Sequence, residues 1–265
     1  MELGACAGGV VGESLEAKME ALRALGYDFI EPAWNKEEWP KLGAGFGAEL
    51  RALGEKTGCP VRSAIYGGFP DLGLRLAEPD AFPRELDILS RALETLAAAG
   101  GDVLLLPMWA GANERGYDDR YIEFLRAGGE RAQKTGTQLA VEHIPGSKYR
   151  NTAAQTFRLI ERTDHPRVGV YFDIVNVLHS GEEPVAAARM VAPRTKQYHV
   201  KDHKKAKRPL EAQPLVEVRE VMAAAGFKGR VAVEMGPREA AEPRTNAHLE
   251  DAIRVLHAHG YGSPT

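Results

Sequence analysis

The sequence predicts an α/β fold of one kind, a single (β/α)8 barrel of eight parallel strands with helices outside. Three observations point there. Short apolar stretches with strand character alternate with stretches of helical periodicity, and no linker or shift in composition divides the chain. Four strands in the C-terminal half share one design: an apolar outer face, a small or polar inner face, and a polar residue at the C-terminal tip. These tips recur roughly every 30 residues, the length of a strand, a helix and two loops, and eight such units need about 250 residues. The chain has 265, read as one domain over 1–265. An open doubly wound sheet is the alternative, but it would not bring four strand tips to one point.

Each element has its own signal. The first strand is 3–7. Ser14 is placed to cap a helix to Leu25, where Leu15, Met19, Leu22 and Leu25 recur at helical spacing and Gly26 stops it. The second strand, 27–34, is tipped by Glu31 and Trp34, and Pro32 marks the end of its regular pairing. A helix over 46–56 leads to strand three, 60–66. The glycine-rich stretch 67–79 reads as an active-site loop. Leu86, Leu89, Leu93 and Leu96 mark the next helix, ended by Gly100 and Gly101, and 103–109 is strand four. A polar loop over 110–119 precedes a helix to Lys134. Strands five to eight are 139–142, 169–173, 197–203 and 231–234, with helices over 152–162, 184–191, 214–225 and 247–259.

Alternation places Glu142 beside Ala140, Asp173 beside Tyr171 and Gly169, His199 and Lys201 beside Gln197, and Glu234 beside Ala232. The expectation is that Glu142, Asp173, His199 and Glu234 converge at the C-terminal mouth, where such barrels keep their active sites, as a candidate metal site. Lys201 binds a substrate oxyanion or pairs with a carboxylate. Glu31 holds a substrate hydroxyl, orients His199, or forms a buried ion pair. His143 turns into the site or sits on the outer face, the latter preferred. Trp34, Tyr66 and Trp109 form an apolar wall for a substrate or simply pack their loops. Arg238 is placed to meet an anionic group, and Lys204, Lys205, Lys207 and Arg208 form a basic run best read as a solvated loop. Cys6 reads as a small buried residue.

The segments 26–31, 141–142, 172–176, 199–202 and 233–234 carry a resemblance in their order and spacing. Together they resemble the xylose-isomerase-like TIM barrel superfamily, in particular its sugar phosphate isomerase/epimerase group, over nearly the whole chain. The resemblance implies a divalent metal, Mn2+ first with Mg2+, Co2+ or Zn2+ as alternatives, held by Glu142, Asp173, His199 and Glu234. It also implies that Glu142 and Glu234 exchange protons on either side of a substrate carbon. The donor set agrees, since three carboxylates and one imidazole make a mostly hard site. The expected activity is that of an isomerase or epimerase on a sugar or polyol, through proton transfer and an enediolate. The alternative is a metal-dependent dehydratase of a cyclic keto-polyol, of keto-inositol or dehydroshikimate type. Asn176 stands where many sugar epimerases of the family have a histidine, which argues against a simple ketohexose substrate.

The bulk numbers narrow the partners. A net charge of −3 gives no reason to expect nucleic acid. No signal peptide or membrane span is visible, and two cysteines make no disulfide framework, so a reducing cytoplasm is expected. The expected partner is a small sugar or polyol, with a homo-oligomer, dimer or tetramer, left open.

Overall fold

The structure, a computed structural model, describes residues 1–67, 78, 80–108, 117–145, 152–202, 209–235 and 245–262. Nine parallel strand segments form a nearly closed barrel: β1 (Leu3–Cys6), β2 (Phe29–Glu31), β3 (Ala33–Trp34), β4 (Ser63–Tyr66), β5 (Val103–Met108), β6 (Gln138–His143), β7 (Val168–Asp173), β8 (Thr195–Val200) and β9 (Val231–Val233). Their order is β2-β1-β9-β8-β7-β6-β5-β4-β3.

The two ends of that order are consecutive in the chain, parted by Pro32. Glu31 pairs with Cys6 on β1, whereas Ala33 and Trp34 pair with Ile65 and Tyr66 on β4. Ile30 also bridges Val61, and the Pro32 carbonyl accepts from the Ile65 N–H at 2.8 Å. One stave therefore passes from one neighbour to the other, and the barrel closes through it. Pairing continues past Pro32, contrary to the sequence expectation. Proline lacks an N–H but keeps its carbonyl as an acceptor.

Outside the barrel lie α1 (Leu15–Ala24), α2 (Ala44–Thr57), α3 (Ala81–Ala99), α4 (Tyr117–Thr135), α5 (Ala153–Thr163), α6 (Ile174–Ser180), α7 (Pro184–Val191), α8 (Leu215–Ala224) and α9 (Ala247–Ala258). Ser14 caps α1 as expected, accepting from the Ala17 N–H at 3.1 Å. Thr152 and Gln155 form a reciprocal capping box at the start of α5. The sequence pattern does not announce α6. Its cap is Asp173, whose Oδ1 accepts from the Asn176 N–H at 2.7 Å, so one residue ends a strand and starts a helix.

The strand faces sort as alternation requires. Leu139, Val141, Val170, Phe172, Tyr198, Val200, Val231 and Val233 belong to the large buried core that the helices share. Val103, Leu105, Ala140 and Tyr171 make a second, smaller apolar cluster, with Ile65 packed against it. A side chain at Gly169 would strike the Arg194 carbonyl, so only glycine fits there, just before β7 shifts register against β8 between Val170 and Tyr171. Below, Arg230 donates to Asp102 Oδ1 at 2.5 Å and to Glu2 Oε2 at 2.6 Å, tying together the residues that precede β9, β5 and β1. Among the described residues no helix is long and apolar enough to cross a membrane.

Candidate metal centre

Two strand tips, Glu142 on β6 and Asp173 on β7, and Glu234 just after β9 converge on His199 near the end of β8. Its Nδ1 lies 3.3 Å from Glu142 Oε1, 3.6 Å from Glu234 Oε2 and 3.9 Å from Asp173 Oδ2. One ligand atom from each of the four residues lies within 4.8 Å of the others. Three carboxylate oxygens beside one imidazole nitrogen are a donor set suited to a divalent cation, so these residues fit a resident ion by their chemistry.

The other ring nitrogen faces a buried polar cradle. His199 Nε2 lies 2.7 Å from Glu31 Oε1. The remaining oxygen of Glu31 accepts from the Ser63 hydroxyl, from Tyr171 at 2.9 Å and from Gln197 Nε2 at 2.9 Å. The Cys6 thiol lies 3.4 Å from both Glu31 Oε1 and His199 Nε2. Glu31 and His199 are 0% exposed. With Glu31 accepting, Nε2 keeps its proton and Nδ1 is the nitrogen turned to the three carboxylates. Burial alone would raise the Glu31 pKa, but His199, Ser63 and Tyr171 outweigh it and hold the carboxyl below its usual range. Burial opposes a charged His199, yet the acids around it, Glu31 and Glu234 among them, hold its pKa well above the ordinary value.

The carboxylates differ in surroundings. Burial lifts Glu142 to about 7, with Glu234 and Asp173 adding to it and His199 opposing. Burial also works against ionised Asp173, but Lys201 and His199 outweigh it and lower its pKa. Lys201 Nζ sits 2.9 Å from Asp173 Oδ2 and 2.5 Å from Glu234 Oε2. Asn176, on α6, donates to Glu142 Oε1 at 3.2 Å and to the His143 carbonyl at 3.1 Å, so it touches the carboxylate directly.

The other expected site residues are placed as follows. Glu31 lies beneath His199 with both oxygens engaged. His143 is the last residue of β6, fully buried, and among the described residues neither ring nitrogen has a hydrogen-bond partner. Burial pushes its pKa down to about 4. Trp34 and Tyr66 are buried, and Tyr66 stacks on Trp39 with ring centroids 5.4 Å apart. Trp109, Arg238 and the basic run at 204–208 lie outside the described residues. Sequence reasoning missed Ser63, Tyr171 and Cys6 as partners of Glu31, and Trp39 as the partner of Tyr66. For Tyr171 a signal existed, since it sits two residues before Asp173 on the same strand face.

The family model described as xylose isomerase-like TIM barrel matches residues 19–259. The chain belongs to this family. Among curated proteins, this xylose isomerase-like barrel is 27% identical to a 3-dehydroshikimate dehydratase of Pseudomonas putida over 174 residues, 65% of the chain and 26% of that protein. It is 34% identical to an inosose dehydratase of Bacillus thuringiensis over 74 residues, 28% of the chain and 24% of that protein. These matches span only about a quarter of each curated relative's length. Among solved structures, D-psicose 3-epimerase from Clostridium cellulolyticum H10 superposes with a TM-score of 0.82 at 18% identity, covering 99% of the chain and 100% of the epimerase. At that identity the likeness establishes a shared fold.

Proposed function

We propose that this xylose isomerase-like barrel is a divalent-metal-dependent isomerase or epimerase that moves a proton at a carbon beside a carbonyl of a small sugar or polyol. The observation that carries the reading is the placement of Glu142 and Glu234 at 3.3 and 3.6 Å from His199 Nδ1, from staves on opposite sides of β7 and β8. Glu142, Asp173, His199 and Glu234 would hold the ion, with Mn2+ favoured by the hardness of the donors. When bound, such an ion polarises a carbonyl and its neighbouring hydroxyl as a Lewis acid.

The chain's own groups supply the proton chemistry. Glu142 is almost wholly buried and braced by Asn176, which suits a carboxylate that takes a proton away from water. Glu234, 37% exposed, faces the mouth from the other side and returns one. Return to the same carbon from the opposite face is epimerisation, and return to the neighbouring carbon is isomerisation. A positioned base of this kind contributes about 10²–10⁴-fold.

A second reading, a metal-dependent dehydratase of a cyclic keto-polyol, is favoured by one observation: the curated relatives at 27% and 34% identity are dehydratases. One assay separates the two. Protein supplied with Mn2+ is given ketoses and cyclic keto-polyols in deuterated water. Deuterium in an isomeric product supports the isomerase or epimerase, whereas ultraviolet absorbance of a conjugated product identifies the dehydratase. Glu142→Gln and Glu234→Gln are each expected to slow exchange about 100-fold or more. Undiminished exchange in both would end the two-carboxylate account.

A further inference from the structure

Lys201 has no part in the proton transfer proposed above, yet it sits among the groups that carry it out. Its Nζ lies 2.9 Å from Asp173 Oδ2 and 2.5 Å from Glu234 Oε2. These are the very oxygens that face His199 Nδ1, at 3.9 and 3.6 Å. On Asp173 the other oxygen is already committed, since Oδ1 accepts from the Asn176 N–H that opens α6. The ammonium therefore draws on the lone pairs that a cation held by these four residues needs. An oxygen shared between an ammonium and a divalent cation serves each less well, and the two positive charges repel at short range in a water-poor site.

Position adds a second point. The side chains of His199 and Asp173 are 0% exposed, while those of Lys201 and Glu234 are 20% and 37% exposed. Lys201 thus stands on the open side of the cluster. Its backbone is anchored, because its carbonyl accepts from Gln213 Nε2 at 2.6 Å and the next residue, Asp202, accepts from the Leu210 N–H at 2.9 Å. Movement at this position belongs to the four-carbon side chain, which is long and flexible.

We propose that Lys201 competes with the metal for Asp173 and Glu234, so that cation binding releases its ammonium toward the mouth, where a substrate oxygen can receive it. The inference rests on the metal reading of the site. It makes the lysine a negative regulator of cation affinity, and it makes the cation the signal that turns the lysine outward.

The test uses chelator-stripped protein and Mn2+, followed by titration calorimetry. Lys201→Gln is expected to bind Mn2+ about tenfold more tightly than the wild-type chain, because the competing charge is gone. Lys201→Arg keeps the charge and is expected to stay within about threefold of wild type. Brief acetylation followed by mass spectrometry needs no variant, and labelling of Lys201 is expected to rise when Mn2+ saturates the wild-type protein. Equal or weaker affinity in Lys201→Gln would overturn the proposal and make the lysine a brace for the carboxylates. Tightening of Lys201→Arg to the same degree, or labelling that falls with Mn2+, would also overturn it. If the folded wild-type protein takes up no Mn2+, the metal reading itself fails and this inference goes with it, a result distinct from any Lys201 outcome.

Discussion

Glu31 governs what His199 can offer. An imidazole has two nitrogens, and the carboxylate beneath it, 2.7 Å from Nε2, decides which one is turned to the cluster above. Glu31→Gln keeps the shape but replaces one acceptor oxygen with an NH2, which meets donors in either orientation: Ser63, Tyr171 and Gln197 on the Oε2 side, or His199 Nε2 on the Oε1 side. The expected cost is about 1–3 kcal/mol of stability in urea denaturation. Loss of His199 orientation is expected to weaken Mn2+ binding about 10–100-fold by calorimetry. Unchanged affinity with lowered stability would make Glu31 a structural residue alone. The cysteines give a second residue-scale prediction. Both are buried, and burial raises both thiols, Cys59 to about 12. Neither is expected to react with Ellman's reagent at neutral pH until the protein is unfolded. At this scale the convergence of Glu142, Asp173, His199 and Glu234 was legible, because strand alternation puts each on an inner face. Cys6 and Ser63 were not legible, because their roles come from contacts across the barrel, Cys6 to His199 over a separation of 193 residues. No local pattern encodes such a contact.

The elements that carry the site were mostly legible because helical and strand periods differ. The two departures have a common cause, a residue serving two elements. Pro32 was expected to stop pairing, yet it sits at the hand-over between β2 and β3. Asp173 was expected to end a strand, and it also caps α6. The second departure has a consequence for function, because α6 is what delivers Asn176 to Glu142. Asn176→Ala removes donors from the Glu142 carboxylate and from the buried His143 carbonyl together. It is expected to lower stability by about 1–3 kcal/mol, and to reduce proton exchange at fixed, saturating Mn2+. Thr152→Ala breaks the capping box of α5, whose hydrogen bonds run between Thr152 and Gln155 and reach none of Glu142, Asp173, His199 and Glu234, and is expected to cost about 1 kcal/mol and leave exchange untouched. Urea titration of both variants beside the deuterium assay separates a helix that only stabilises from one that positions.

At the scale of the whole barrel, the two ends are held by opposite means. The lower end is tied by Arg230, which reaches Glu2 before β1 and Asp102 before β5. The upper end gathers four acids, Glu31, Glu142, Asp173 and Glu234, against His199 and Lys201. Such a cluster holds excess negative charge, and a divalent cation relieves it. Saturating Mn2+ at about 100 times its dissociation constant is expected to add about 2.7 kcal/mol. For a chain of this size that corresponds to a rise of roughly 5 °C in Tm. Arg230→Met removes the lower tie. Both acid partners are more than a third exposed, so solvent screens the pairing and the expected loss is only about 1 kcal/mol. The two perturbations sit at opposite ends of the staves and share no partner, so their effects are expected to add. Differential scanning fluorimetry with and without Mn2+ then has a definite outcome: Arg230→Met lowers Tm by the same roughly 2 °C in both conditions, and the Mn2+ increment is preserved. An increment that shrinks in the variant would mean that the staves transmit strain from base to mouth, and the four clustered residues could no longer be treated as a unit held in place by their own neighbours.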